Sequence, residues 1–244
     1  MLGAWPLEAD ASILEKCKKY LLNLICYLLL IFFFVPSILY IVFIPQSVSV
    51  KLKIAATAFA CVANAAKYTL LLKQSKQLEM CLYRVREDWR LVKLDEDYES
   101  MISRGKLGRT LAILSTCLIY GGSMSYRTIM PFAKGKIMVN NITIRPLACP
   151  SYYIVFDEQK SPAYELVFIG HFLSGFVVYS VASAVCALTT FFILHACGQL
   201  EILIRKMKEI EITYTNEEGM DKRIVKIVLH QMKTRRQVST SEVK

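Results

Sequence analysis

Four long apolar stretches, separated by polar residues, divide the chain. Leu21 to Pro45 carries no charge over 25 residues, and a helix rising about 1.5 Å per residue would there exceed the roughly 30 Å of hydrocarbon in a bilayer. The pattern predicts a first transmembrane helix. Pro36 inside it is expected to kink it, where neighbouring helices or local adjustments satisfy the freed carbonyl. Glu8, Asp10 and Glu15 precede the stretch, which is also far longer than the apolar core of about 7–15 residues in a secretory signal. The stretch is therefore expected to stay in the mature protein. Ile54 to Leu72 predicts a second span, with Lys67 close enough to its end to snorkel toward the headgroups. Thr110 to Met130 predicts a third. Gly121 and Gly122 at its middle are expected to serve close helix packing, and Pro131 to close it. From Leu166 to Leu200 there are 35 uncharged residues, about 50 Å of helix and too long for the bilayer core. Ser161 as a cap, Pro162 at the first helical position and Glu165 in the first turn predict its start. The protruding end is then the far one, where Glu201, Arg205, Lys206 and Lys208 follow.

Composition agrees with this reading. Of 244 residues 55% are apolar and the mean hydropathy is +0.39, too apolar for a soluble domain of this size. The net charge of +10 does not point to nucleic acid, because the basic residues alternate with apolar stretches and form no continuous stripe. A membrane surface accounts for them. Lys and Arg concentrate on one side: three in the amino-terminal tail, nine from Lys73 to Arg109 and ten from Arg205 onward, against six in the two other connections. Basic residues are retained on the cytoplasmic face, so both termini are predicted to lie there. Asn141-Ile142-Thr143, an N-glycosylation acceptor pattern, falls in a loop predicted to be outside. The predicted fold class is an all-α membrane protein of four transmembrane helices with cytoplasmic termini. Residues 1–204 hold the spans, and 205–244 form a cytoplasmic tail with an amphipathic segment from Lys222 to His230.

The chemistry legible in the chain is sparse. Cys26, Cys61, Cys117 and Cys186 lie inside apolar stretches as small hydrophobes, so the eight cysteines predict no disulfide framework. No C-x-x-C occurs, and His171, His195 and His230 stand 24 and 35 positions apart; no metal or cofactor is expected. Asp95 and Asp97 belong to a mixed-charge stretch from Glu79 to Arg109, which reads as a solvated helical extension and not as an acid/base pair. Catalysis is not predicted. Polar and aromatic residues suited to a small apolar-ligand pocket gather in the outer halves of spans three and four: Tyr120, Ser123, Tyr126 and Arg127, then Phe168, His171, Phe172 and Ser174. The outer loop from Phe132 to Ala163 adds Tyr152, Tyr153, Phe156 and Tyr164, which suit either a ligand entrance or an aromatic belt at the interface. Arg127 and His171 are ionisable near the membrane and so are functional candidates. Both could instead be merely interfacial, the preferred reading for Arg127.

Several motifs resemble those of insect odorant receptors. They are Gly3-Ala4-Trp5-Pro6 before span one, Glu87-Asp88-Trp89, Met101 to Gly108-Arg109, Cys149-Pro150-Ser151-Tyr152, and Ser161-Pro162-Ala163-Tyr164-Glu165. The most specific is Leu194-His195-Ala196-Cys197-Gly198-Gln199-Leu200-Glu201-Ile202-Leu203. All occur in family order. The resemblance implies a seven-span subunit of a tetrameric, odorant-gated cation channel, with an inside amino terminus, in the plasma membrane of olfactory neuron dendrites. It further implies a small volatile odorant as ligand, bound among the outer halves of several spans. Its other implied partners are a shared co-receptor subunit and the lipid bilayer. The long fourth helix would continue into a cytoplasmic anchor that joins subunits. By the same resemblance the chain corresponds to the front part of such a receptor, truncated before the pore-lining span and expected not to conduct alone. A gustatory receptor of the same architecture and a four-span scaffold are the alternatives. The second is disfavoured because the outer loops offer only Cys149 for the disulfides such proteins use.

Overall fold

A computed structural model describes residues 3, 12–92, 94–135, 137–139, 142–212, 228, 229 and 232. Helix α1 (Ile13–Phe43) starts ahead of the uncharged stretch because Ser12 and Glu15 form a capping box. The Glu15 N–H donates to the Ser12 hydroxyl at 3.3 Å, and the Ser12 N–H donates to the Glu15 carboxylate at 2.9 Å. Two of the helix's orphan donors are thereby satisfied. Pro36 sits inside α1, as its sequence predicts. The helix stops at Ile44, whose extended backbone (φ −98°, ψ 120°) is the conformation that a following proline imposes.

Helix α2 (Val48–Lys73) follows, and Gln74 separates it from α3 (Ser75–Leu91). Helix α4 (Asp95–Lys134) opens with Asp95, Glu96 and Asp97, acidic residues placed where the helix dipole favours them. It carries the whole third apolar stretch. Two expectations fail in it. Pro131 does not close the helix, which continues to Lys134. Nor do Gly121 and Gly122 serve close packing, since a Cβ at either would meet nothing within 4 Å. Tight packing occurs instead at Gly170, against the Phe32 ring, and at Gly175, against the Arg127 side chain.

Two three-residue strands, β1 (Ile137–Val139) and β2 (Ile142–Ile144), pair antiparallel with Val139 opposite Ile142. They are a small exception to the all-α expectation. Asn141 lies outside the described residues, as do Trp5, Pro6 and His230. Helix α5 (Ala163–Ile212) is 50 residues long, roughly 75 Å at helical rise, so its far end does run well past Leu200. Its start lies one residue later than predicted. The Leu166 N–H bonds to the Pro162 carbonyl, which makes Pro162 the capping residue. The Ser161 hydroxyl donates to the Glu165 carboxylate at 3.0 Å instead of capping a backbone N–H.

Ile13–Phe43, Val48–Lys73 and Ala163–Glu209 are, among the described residues, long and apolar enough to cross a membrane. The part of α4 that holds the third stretch falls short because Tyr120 to Arg127 is largely polar and small. The residues form two compact units: Met1–Lys76 with Leu114–Cys186, and Gln77–Ile113 with Ala187–Lys244. In the first, Cys26, Leu30, Phe33, Pro36 and Ser37 of α1 and Ile54, Ala58, Cys61, Asn64 and Tyr68 of α2 are buried. Apart from the adjacent Pro36 and Ser37, both sets are spaced three to four residues apart, one face of each helix. The Tyr68 hydroxyl donates to Asn23 at 2.9 Å, and the Tyr27 and Thr69 hydroxyls lie 2.7 Å apart. All eight cysteines are free.

Candidate ligand-binding cavity

The first unit holds a partly open cavity of about 950 Å³, at the upper end of the range for ligand pockets. Its walls come from the end of α1 (Tyr40, Ile44), the start of α2 (Val50, Lys53, Ile54, Thr57), α4 (Gly122, Ser123, Tyr126, Arg127, Pro131), Tyr179 of α5 and the loop 145–159. The loop is held in place by main-chain and side-chain contacts. The Tyr152 N–H donates to the Pro36 carbonyl at 3.0 Å. Cys149 is buried beside Ser37, and burial pushes its thiol pKa up. The Tyr164 hydroxyl donates to the Pro146 carbonyl at 3.0 Å.

Arg127 is the centre of the cavity's polar construction. It is 7% exposed, buried and not spread along an interface as its sequence context suggests. Its Nε donates to the Tyr179 hydroxyl and its Nη1 to the His171 carbonyl, each at 2.9 Å. The guanidinium also lies over the Phe33 ring, 4.6 Å from the centroid, a cation–π contact in a desolvated place. This approach needs Gly175: a Cβ there would come within 2.9 Å of the Arg127 Cδ. The same His171 carbonyl also accepts from the Ser174 hydroxyl at 3.0 Å.

His171 itself does not line the cavity. Its ring is buried edge-on against Phe33 and Phe32, with centroids at 5.2 and 6.3 Å. Its Nε2 is 3.4 Å from the Tyr153 hydroxyl, whose pKa burial pushes up to about 12. Its Nδ1 has no hydrogen-bond partner among the described residues.

The residues expected to form a ligand site therefore divide. Ser123, Tyr126 and Arg127 line the cavity; His171 and Ser174 stand behind Arg127 and fix it. Tyr120 packs on Phe176 and Tyr179, with its hydroxyl 2.5 Å from that of Ser180. Phe168 stacks with Tyr164 and meets Phe132 edge-on, and Phe172 is exposed. None of these last three reaches the cavity. Tyr40, Lys53, Thr57, Glu158 and Tyr179, absent from the sequence reading, do reach it. For Tyr40 and Tyr179 no periodic signal exists, because α1 and α5 are apolar on nearly every face; Lys53, Thr57 and Glu158 lie at a helix start and in a loop, where periodicity says nothing.

In the second unit the most specific motif faces inward. His195 Nε2 lies 3.2 Å from an Asp88 carboxylate oxygen, both side chains being more than nine-tenths buried. Arg104 makes a two-pronged pair with Glu201, at 3.0 and 2.6 Å. The Gln199 amide donates to the Met101 sulfur at 3.6 Å. Asp97 receives both Arg205 and Lys206. Gly108 lets Leu194 approach, and a Cβ there would lie 3.2 Å from its Cδ1. Three separated sequence motifs thus meet in one small assembly around a second cavity of about 270 Å³.

A model of the 7tm odorant receptor family matches residues 48–242. No curated protein matches the chain.

Proposed function

Because the chain belongs to the odorant receptor family, a family of membrane receptors and not of enzymes, we propose that it is the odorant-tuning subunit of a ligand-gated cation channel. It works beside a co-receptor subunit in the plasma membrane. The observation that carries this reading is the cavity of about 950 Å³, where Ile44, Val50, Ile54 and Leu147 stand among hydroxyl, amide and charged side chains. An apolar patch of wall beside a fixed polar group, Arg127, suits a small organic molecule. Ser123 and Arg127 meet the ligand directly, His171 and Ser174 hold Arg127 in place, and Tyr120, Phe168 and Phe172 shape the helices around them.

Four spans with both termini in the cytoplasm fit the distribution of basic residues. The spans then include residues 110–130 of α4, of which Ser123, Tyr126 and Arg127 line the cavity. In this orientation the loop that holds Asn141 is outside. A glycosidase-sensitive mass shift abolished by Asn141→Gln would place that loop outside, as this topology has it.

The test of function is a cation-current recording from cells expressing the chain with the co-receptor, against co-receptor alone, over a broad odorant panel. Evoked current that only the pair supports is expected. Ser123→Phe, which fills the cavity, should raise the odorant concentration needed for half response. Silence from surface-delivered protein refutes the channel role. Unchanged responses in a surface-delivered Ser123→Phe variant refute the site.

A further inference from the structure

The charges around the cavity are out of balance. Three basic side chains line it (Lys53, Arg127 and Arg145) against one acidic one, Glu158. Arg145 is answered by Glu165 at 3.2 Å. Arg127 and Lys53 have no carboxylate partner among the described residues.

The imbalance weighs most at Arg127. A guanidinium stays protonated throughout the physiological pH range, and this one is 7% exposed, in surroundings where an unpaired charge is strongly disfavoured. The groups that surround it are neutral: a tyrosine hydroxyl, a peptide carbonyl and a phenyl face. They solvate the charge without cancelling it. Two of five N–H donors are taken by those bonds, which leaves both donors of Nη2 and one of Nη1. Such a planar fork matches the two oxygens of a carboxylate. Glu158 does not supply that carboxylate in an ion pair, and burial, with Asp157 adding to it, raises its own pKa. Lys53 is exposed at the start of α2 and adds a second positive charge to the wall.

We infer that the cavity selects a small organic carboxylate, whose ionised head pairs with Arg127 while its apolar body lies along Val50, Ile54 and Leu147. The inference rests on the cavity being the odorant site. A neutral alcohol or ester of equal length would fill the same apolar space but leave the guanidinium unanswered.

The test uses the full chain in nanodiscs of neutral phosphatidylcholine, with octanoate, 1-octanol and methyl octanoate as probes in a direct binding titration. At pH 7 octanoate should bind about 10-fold or more tighter than either neutral probe, as expected for a charge-assisted pair. Arg127→Gln should bring octanoate down to the level of octanol while octanol binding persists. Lys53→Gln, at an exposed position, should weaken octanoate by a smaller factor. Wild-type protein supplies a check free of folding effects: the preference should vanish as the pH falls below about 4, where a carboxylic acid takes up its proton.

Equal binding of octanoate and octanol overturns the inference and leaves the cavity as odorant site standing. Failure of all three probes to bind overturns both. If octanoate shows no preference and Arg127 is instead required for retention of phosphatidylglycerol through purification, the anion is a lipid headgroup and the inference falls.

Discussion

His195→Ala tests whether the motif-rich unit is held by its buried pair. A carboxylate only accepts, so Nε2 of His195 donates to Asp88. Removing the ring deletes one hydrogen bond to a charged acceptor, about 1.5–3 kcal/mol. Stranding a wholly unpartnered ion would cost about 3–5 kcal/mol, but Asp88 has a further interaction, so the lower range applies. In hydrogen exchange limited by local opening, this corresponds to roughly 10- to 150-fold faster exchange. The faster exchange should be confined to peptides covering residues 84–92 and 191–199, measured by mass spectrometry on nanodisc-embedded protein. Peptides covering residues 26–37 serve as an internal reference and should not change. Asp88→Asn keeps the shape and a neutral acceptor, and its effect should be smaller, about 0.5–1.5 kcal/mol. Acceleration below about 3-fold, or equal acceleration in the reference peptides, refutes the assignment of stability to this pair.

Three further outcomes follow from the geometry. Ser12→Ala removes one arm of the capping box and should cost about 1 kcal/mol of helix-end stability; exchange in the first turn of α1 should rise about fivefold, and no rise would mean that the box is not formed in the membrane. Cys149, buried and with its thiol pKa raised, should react with N-ethylmaleimide far more slowly than the exposed Cys17, since the thiolate is the nucleophile; comparable rates would refute the loop packing. Glu158 binds its proton more tightly in the folded loop than in the unfolded chain, because burial raises its pKa. Loop stability is then full below the unfolded carboxylate pKa and falls as the pH rises from there through the higher folded value. Proteolysis within residues 147–159 should accelerate over that rise, and Glu158→Gln should flatten the profile; a flat wild-type profile contradicts the burial.

Helix existence was legible because long uncharged runs leave the backbone no other way to satisfy itself in lipid. Which face packs was not. Every position from Leu24 to Val35 of α1 is apolar except Cys26 and Tyr27, yet only Cys26, Leu30 and Phe33 of these are buried; hydropathy cannot separate a lipid-facing leucine from a core one. Arg127 shows the same limit for polar groups. Its environment is set by a main-chain carbonyl, at His171, and by a tyrosine on another helix, neither of which leaves a mark near residue 127 in the sequence. Conversely, Asp88, Arg104, Gly108, His195 and Glu201 were visible as motif residues long before any reason for them was. Their contacts with one another supply it. The Ser12 and Glu15 pair was also readable, as a Ser-x-x-Glu pattern, and would have placed the start of α1 correctly.

The bond from the Tyr152 N–H to the Pro36 carbonyl joins atoms that every residue type but proline supplies at position 152, and that every residue type supplies at position 36. The loop that closes the cavity is thus fastened at a point indifferent to side-chain identity. Mutation can rewrite Arg145, Leu147, Glu158 or Gln159, altering the chemical taste of the cavity one residue at a time, without loosening that fastening. A receptor built in this way can acquire new ligands by drift in its lining while its architecture stays put.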